Sequence, residues 1–311
     1  MKVDEGRGQV TSPAEPQGEG MIDLHFHILP GLDDGAPNLS VALEMDRAFA
    51  ANGVSVVACT PHILPGLYHN EGPQIRLATT RLQEELTRAN VPLRLVSGAD
   101  NHITPSFVAE LRSGHLLSLG DTRYVLVEPP HHIAPPRLED VFFDIMVAGY
   151  VPILTHPERL SWIESHYLTM RRLAEAGVWM QLTAGSLVGS FGRRPRYWSE
   201  RMLDEGCAHI LATDAHDVSR RPPNLEQGRE LAATRVGEAE AHQLVVTRPR
   251  GVLANAAPST LEMPLPTGAE GVAREASTAV NTGTDAVGIE PAKKRPTFAR
   301  IGNFLRFWGD E

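Results

Sequence analysis

The chain has 311 residues, 42% of them hydrophobic and 22% charged, with a formal net charge of −9. That length holds one large α/β domain or two smaller ones, and the acidic balance excludes a general nucleic-acid surface while allowing a phosphate pocket built from a few arginines. Only two cysteines occur, Cys59 and Cys207, which excludes a disulfide framework; no apolar run reaches the ~18 residues of a membrane span, the N-terminus lacks a signal-peptide core, and the chain reads as cytoplasmic.

Residues 1–20 are rich in Gly, Pro, Glu and Gln and read as a disordered leader. From residue 21, short apolar runs alternate with helix-period patterns. The runs are MIDLHF (21–26), VSVVACT (54–60), LRLVSGA (93–99), YVLVE (124–128), VPILT (151–155), VWMQLT (178–183) and HILAT (209–213). Between them Ile75, Ala78, Leu82 and Leu86 recur at helical spacing, as do Leu138, Val141, Phe142 and Ile145. Gly53, Gly149, Gly177 and Gly206 each stand between a helical segment and the next strand, where helices stop. Seven strands starting about 27 to 39 residues apart, with helices between, predict a parallel α/β sheet, either closed as a barrel or open and doubly wound.

The folded unit is expected over 21–256, with 257–290 a flexible linker and 291–311 a basic amphipathic segment. In that last stretch Phe298, Ile301, Phe304, Leu305 and Trp308 share a helical face beside Arg300 and Arg306. The pattern suits peripheral contact with a membrane, contact with a partner, or docking back on the barrel.

Thirteen histidines occur, all between His25 and His242. Parallel α/β folds bind ligands at the carboxyl ends of their strands, so the residue types there are informative. Strand one ends in His25 and His27, with Asp34 in the following loop; strand two leads to His62, strand three to Asp100, and strand four ends at Glu128. Strand five gives His156-Pro157-Glu158-Arg159 and strand seven Asp214-Ala215-His216; strand six offers Thr183-Ala184-Gly185-Ser186 instead. A chance scatter of histidines would not select one end of six strands out of seven. Histidine with carboxylate and no cysteine suits Mn, Fe or Zn. Nine such donors exceed the four to six of one ion and imply two or three, with a carboxylate bridge between close metals. His69, His115, His166, His209 and His242 read as surface or packing residues. Tyr68, His131 and His132 read as weaker candidates for contacts with substrate at the rim.

Taken together, IDLHFHILPGLDDGA, ACTPHIL, SGADNHITP, LVEPP, LTHPERL, QLTAGSLVGSFG and ATDAHDVSRRPP resemble the PHP-superfamily phosphatases of bacterial capsule and exopolysaccharide operons, from about Met21 to Asn255. The resemblance implies a distorted (β/α)7 barrel and a manganese-dependent protein-tyrosine phosphatase. It implies a trinuclear site in which His25, His27 and Asp214 hold one ion, Glu128 and His156 a second, with Asp100 bridging these two, and Asp34, His62 and His216 a third. Arg159 and Arg221 match positions that grip the phosphate, a task suited to the guanidinium fork. The substrate it implies is the tyrosine-rich tail of an autophosphorylating bacterial kinase controlling polysaccharide export; relatives can assemble as homo-oligomers. One position departs from the family, which usually has glutamate where this chain has Asp100. An acid one methylene shorter needs a backbone shift or a longer contact to bridge two metals. His102 matches a histidine often seen in the Gram-negative members.

The chemistry so implied is in-line hydrolysis of a phosphate monoester. Neither cysteine is followed by arginine six positions on, so the loop of the cysteine-dependent phosphatases is absent. Rival readings are a small-molecule phosphatase resembling histidinol phosphate phosphatase, a metal-dependent nuclease, disfavoured by the acidic balance, and a catalytically weak module that retains metal and grips phosphotyrosine.

Overall fold

All seven apolar runs form parallel strands in the computed structural model, which describes residues 20–267. The second and third tracks are each broken once. The elements are β1 (Met21–Phe26), α1 (Leu39–Ala51), β2 (Val54–Cys59), β3 (His62–Ile63), α2 (Gly72–Arg88), β4 (Arg94–Ser97), β5 (Asp100–His102), α3 (Phe107–Ser113), β6 (Tyr124–Glu128), α4 (Leu138–Val147), β7 (Val151–Thr155), α5 (Ile163–Ala176), β8 (Trp179–Thr183), α6 (Ala184–Val188), α7 (Arg193–Asp204), β9 (Ile210–Ala212), α8 (Leu225–His242) and α9 (Arg248–Leu253).

The ladders run β1-β2-β4 and β3-β5-β6-β7-β8-β9, all parallel. β3 and β5 continue the lines of β2 and β4 after breaks at Thr60-Pro61 and Gly98-Ala99. A Cβ at Gly98 would stand 2.9 Å from a Leu119 methyl, so that side chain would have to shift to admit one. The ends close where Phe26 bridges Ala215, and the amides of Asp214 and His27 donate to the carbonyls of His25 and Ala215. The result is a seven-track barrel, distorted at two strands. Of the two architectures the strand count left open, the barrel is the one formed.

Two apolar layers hold it. Ile22, Leu24, Val56, Ala58, Tyr124, Leu126, Ile153, Trp179 and Ile210, drawn from strands all round the wall, fill the interior, with Val252 of α9 against them. The alternate residues, among them Val57, Val125, Val127, Leu154, Met180 and Leu182, face the helices, where Ile75, Leu82 and Leu86 of α2 and Leu138, Phe142 and Ile145 of α4 are buried. Burial on this scale, at ~25 cal/mol per Å² of apolar surface, is the main force fixing the strand ends in place. His209, expected to pack, does: it is buried, stacks on Trp179 and accepts the amide of Met180.

The described part of the following segment, 257–267, lies against the barrel. Its Glu262 carbonyl accepts from Arg248, a fully buried guanidinium that also forks onto Glu240, and the Thr267 amide donates to Asp204. The leader up to residue 19 and everything from 268, including 291–311, lie outside the described residues. No helix among the described residues is long and apolar enough to cross a membrane.

Candidate metal centre

Strand alternation places most of the site. Counting on by two from the interior residues Leu126, Trp179 and Ile210 leads to Glu128, Gln181 and, past Ala212, Asp214. β1 does not follow this rule. Its ladder to β2 slips between Asp23 and Phe26, so Ile22 and Leu24 sit in the interior whereas Phe26 packs outward on Phe49. The slip is held by the Asp23 carboxylate, which accepts the amides of His25 and Thr213. A bulge of this kind re-aims side chains, and here it turns His25 toward the other ligands.

His25 of β1 and His27 directly after it are each anchored through Nδ1. His25 Nδ1 lies 2.7 Å from Gln181 Oε1, and His27 Nδ1 lies 2.7 Å from Asp33 Oδ2. With Nδ1 the donor, each Nε2 presents a lone pair, and the two Nε2 atoms face each other at 3.1 Å. Two lone pairs that close repel unless a proton or a metal cation stands between or beside them. Partners that fix the tautomer of a ligating histidine contribute roughly 10–100-fold in metal affinity. Asp33→Asn is therefore expected to weaken metal binding by about that factor, measured by titration calorimetry on the folded protein. Unchanged affinity would remove Asp33 from the site. The loop carrying Asp33 folds tightly on β1: a Cβ on Gly35 would stand 2.0 Å from the His27 carbonyl oxygen.

Around this pair the remaining predicted residues converge. Asp34 Oδ1 is 3.6 Å from His62 Nε2 and 3.3 Å from His216 Nε2. Asp100 Oδ2 is 3.4 Å from His25 Nε2 and 3.3 Å from His62 Nδ1, and Glu128 Oε2 is 3.4 Å from His62 Nδ1. Glu128 Oε1 reaches His156 Nε2 at 3.7 Å and His131 Nε2 at 3.5 Å. Donors that could share a cation, with atoms within 4.8 Å of one another, fall into overlapping sets: His27-Asp34-His62-His216, His25-His27-Asp100, His25-His156-Asp214, His62-Asp100-Glu128 and Glu128-His131-His156. All nine predicted ligands are included, and Asp100, His25, His27, His62, Glu128 and His156 each belong to two sets. His131, expected at the rim, falls in one of these sets, beside Glu128 and His156. Tyr68 stacks on His62 at 5.6 Å. His132 is exposed, and among the described residues its ring meets that of His131. His102 stands at the edge, 3.6 Å from Glu128.

The donor set fits divalent cations. Both oxygens of Asp100, Nδ1 of His62, His102 and His156, and Nε2 of His216 are buried without a hydrogen-bond partner among the described residues. Orphaned polar atoms in such number would be costly in a core, at about 1–3 kcal/mol each. Donors about 3 Å apart form the edge of a coordination sphere with bonds near 2.1 Å.

Protonation tells the same story. Burial opposes charge on His25 and His62, but the carboxylates outweigh it: Asp100 and Asp214 raise His25 to about 9, and Asp100 and Glu128 raise His62 to about 12. Burial and the Arg159 charge hold His156 well below the ordinary range, and burial with the neighbouring His27 brings His216 down to about 4. The carboxylates draw protons onto those imidazoles that offer positive charge most cheaply. A cation would displace those protons, so uptake releases them.

Asp214 joins this cluster to the arginines. Its Oδ1 lies 3.4 Å from His25 Nε2 and 3.2 Å from His27 Nε2, while Oδ2 accepts from both Arg159 and Arg221. Burial works against its charge, but Arg221, His25 and Arg159 keep it ionised far below the usual range. Phe191 underlies both cations, its ring 4.3 Å from the Arg159 guanidinium carbon and 6.0 Å from that of Arg221. His156 and Asp214 both have left-handed backbone, at φ 36° and 50°, which costs roughly 1–3 kcal/mol each and is found at functional sites. Glu158, between His156 and Arg159, turns away and accepts from the Thr183 amide and Ser186 hydroxyl.

The family model for capsular polysaccharide synthesis proteins, CpsB/CapC, matches residues 21–254. The chain belongs to the CpsB/CapC family. It is 37% identical over 201 residues to the tyrosine-protein phosphatase YwqE of Bacillus subtilis, covering 65% of this chain and 79% of that protein. It is 26% identical over 240 residues to the tyrosine-protein phosphatase CpsB of Streptococcus pneumoniae, covering 75% and 98%. A crystal structure from work on YwqE and CpsB as metal-dependent tyrosine phosphatases superposes with a TM-score of 0.74 at 33% identity, over 79% of this chain and 99% of that one. The resemblance read from the motifs is thus borne out, and the CpsB/CapC barrel is the fold found.

Sequence reasoning missed Asp23, Asp33, Gln181 and Phe191. Only Asp33 carried a signal, as the neighbour of Asp34. The others act across the barrel on groups distant in sequence, as Gln181 does on His25.

Proposed function

We propose that this CpsB/CapC chain is a manganese-dependent protein-tyrosine phosphatase of the cytoplasm, acting on the tyrosine-rich tail of a kinase that controls capsule or exopolysaccharide synthesis. The observation that carries the reading is the convergence of buried, partnerless histidine and carboxylate donors beside two arginines. His25, His27 and Asp214 would hold one ion, Glu128 and His156 a second, with Asp100 between, and Asp34, His62 and His216 a third. Bound ions of this kind activate water and neutralise charge on the phosphoryl group. The chain's own residues bind and orient: Arg159 and Arg221 supply fork-shaped donors for the phosphoryl oxygens, and Phe191 beneath them restricts their movement. Asp214 sets the position of both guanidiniums before substrate arrives. A phenolate leaving group, with a pKa of about 10, departs without the strong protonation an alkoxide needs.

Hydrolysis of p-nitrophenyl phosphate is expected with added Mn²⁺ and is expected to vanish with chelator; no metal-dependent turnover would overturn the reading. A phosphotyrosine peptide is expected to give the higher kcat/KM against histidinol phosphate, and the reverse order would favour the small-molecule phosphatase. The short acid at Asp100 supports a second, weaker reading as a metal-holding phosphotyrosine binder. Asp100→Glu restoring turnover to an otherwise inactive chain would favour that reading.

A further inference from the structure

The loops on one side of the site carry cations that neither the metal cluster nor the phosphate grip uses. Every cation between residues 20 and 267 other than histidine is an arginine; no lysine occurs there. Most of these arginines pair with carboxylates: Arg196 with Glu200, Arg201 with Glu205, Arg229 with Glu226 and Glu238, and Arg235 with Asp204. Arg193, Arg194 and Arg220 pair with no carboxylate among the described residues, as is true of Arg47, Arg81, Arg94, Arg112, Arg123 and Arg250, but these three stand on the loops that also carry Phe191 and Arg221 or contact the segment after Arg159. All three are exposed.

Their positions tie them to the site. Arg220 lines a crevice with Phe191, Arg221 and Thr213. Arg193 lies two residues beyond Phe191, at the start of α7. Arg194 donates to the carbonyls of Leu160 and Ser161, the residues directly after Arg159, at 2.9 and 2.8 Å. The acid nearest Arg220 in its loop, Asp217, is occupied: its Oδ1 accepts the amides of Ser219, Arg220 and Arg221 and the Ser219 hydroxyl. The loops after β3 and β6 carry exposed apolar side chains instead, Leu67 and Ile133. On a chain of net charge −9, three guanidiniums without a carboxylate partner, carried by the loops that bear Phe191 and Arg221, supply charge of the opposite sign on this side of the site.

We propose that Arg193, Arg194 and Arg220 form a second anion subsite that takes an oxyanion side chain flanking the scissile phosphotyrosine on a peptide substrate. This rests on the phosphatase reading of the same site and names what that site selects. Guanidinium forks match carboxylate and phosphate alike, so both an acidic neighbour and a second phosphotyrosine satisfy the subsite.

The test compares the Mn²⁺-loaded full chain on three peptides: phosphotyrosine with neutral flanks, with Asp and Glu flanks, and with a second phosphotyrosine. Two or three exposed charge pairs predict a kcat/KM preference of about tenfold for the charged flanks, shrinking at high salt. Arg193→Glu with Arg220→Glu is expected to abolish the preference and leave p-nitrophenyl phosphate turnover within about twofold; Arg193→Glu alone serves if the pair folds poorly. Of the two charged peptides, the one favoured more identifies the source of the anion. Equal rates on neutral and charged peptides, or a preference surviving in the variant, would overturn the subsite. If p-nitrophenyl phosphate is not hydrolysed at all, fluorescence anisotropy with non-hydrolysable phosphonate versions of the same peptides reads the subsite separately. Tighter binding of charged flanks, lost in the variant, then upholds the subsite while the phosphatase reading fails.

Discussion

Asp214→Asn is expected to lower kcat for p-nitrophenyl phosphate by about two to four orders of magnitude while leaving the barrel folded. The carboxylate is asked to do two things at once. One oxygen faces the Nε2 atoms of His25 and His27, and the other accepts from Arg159 and Arg221. Asparagine has the same shape but one acceptor and one donor. Turned one way, its amide N–H groups point at the guanidiniums, which have no acceptor to offer. Turned the other, they point at the histidine lone pairs and occupy the place of a cation. Either orientation breaks one half of the site, and breaking a buried charge pair costs about 3–5 kcal/mol, or two to four orders of magnitude. Metal content after dialysis and kcat should fall together. A variant retaining kcat within tenfold of wild type would show that Asp214 does not couple the arginines to the metal site.

The second large effect lies away from the site. Asp46, on the inner face of α1, is fully buried and neither of its oxygens has a hydrogen-bond partner among the described residues. Burial alone pushes its carboxyl up to about 8, and its charged form acts unfavourably on the buried Cys59 thiol. The folded chain thus keeps this proton up to about pH 8, whereas the unfolded chain releases it from 3.8 upward. Stability from the protonated acid is complete below pH 4 and is lost as pH rises toward 8, at about 1.4 kcal/mol per pH unit. Asp46→Asn cannot titrate and so removes that slope. It is expected to be no more stable than wild type at pH 5 and several kcal/mol more stable at pH 8.5, measured by urea denaturation at both values. Parallel stability–pH curves for the two proteins would refute the assignment. The rest of the pH dependence is common to both proteins and cancels in the difference.

The distinction between what the residues announce and what the fold decides is sharpest in the first fifteen residues of the barrel. Period-two alternation is local, so it correctly brings Glu128 and Asp214 to the mouth from apolar runs whose inner faces are easily read. Applied to β1, the same rule separates Leu24 from His25. The structure puts both toward the interior because of a bulge pinned by Asp23 to an amide 190 residues away. Adjacent acids pose the same problem. Asp33 and Asp34 are indistinguishable in sequence, yet the turn at Gly35 sends Asp33 beneath His27 and leaves Asp34 facing His62 and His216.

Hydrophobic periodicity and residue type, which are local properties, therefore indicated the parallel α/β class, the end of the strands that carries the chemistry and nine candidate donors, while the two arginines were indicated by the resemblance to the family. Closure into a barrel, the orientation of His25, the anchoring of imidazoles by Asp33 and Gln181, the stacking of Phe191 under Arg159 and Arg221, and the stranding of Asp46 in an apolar layer were decided by tertiary structure. Each depends on which distant segments meet, and that is set by packing around the whole wall rather than by any single stretch of chain.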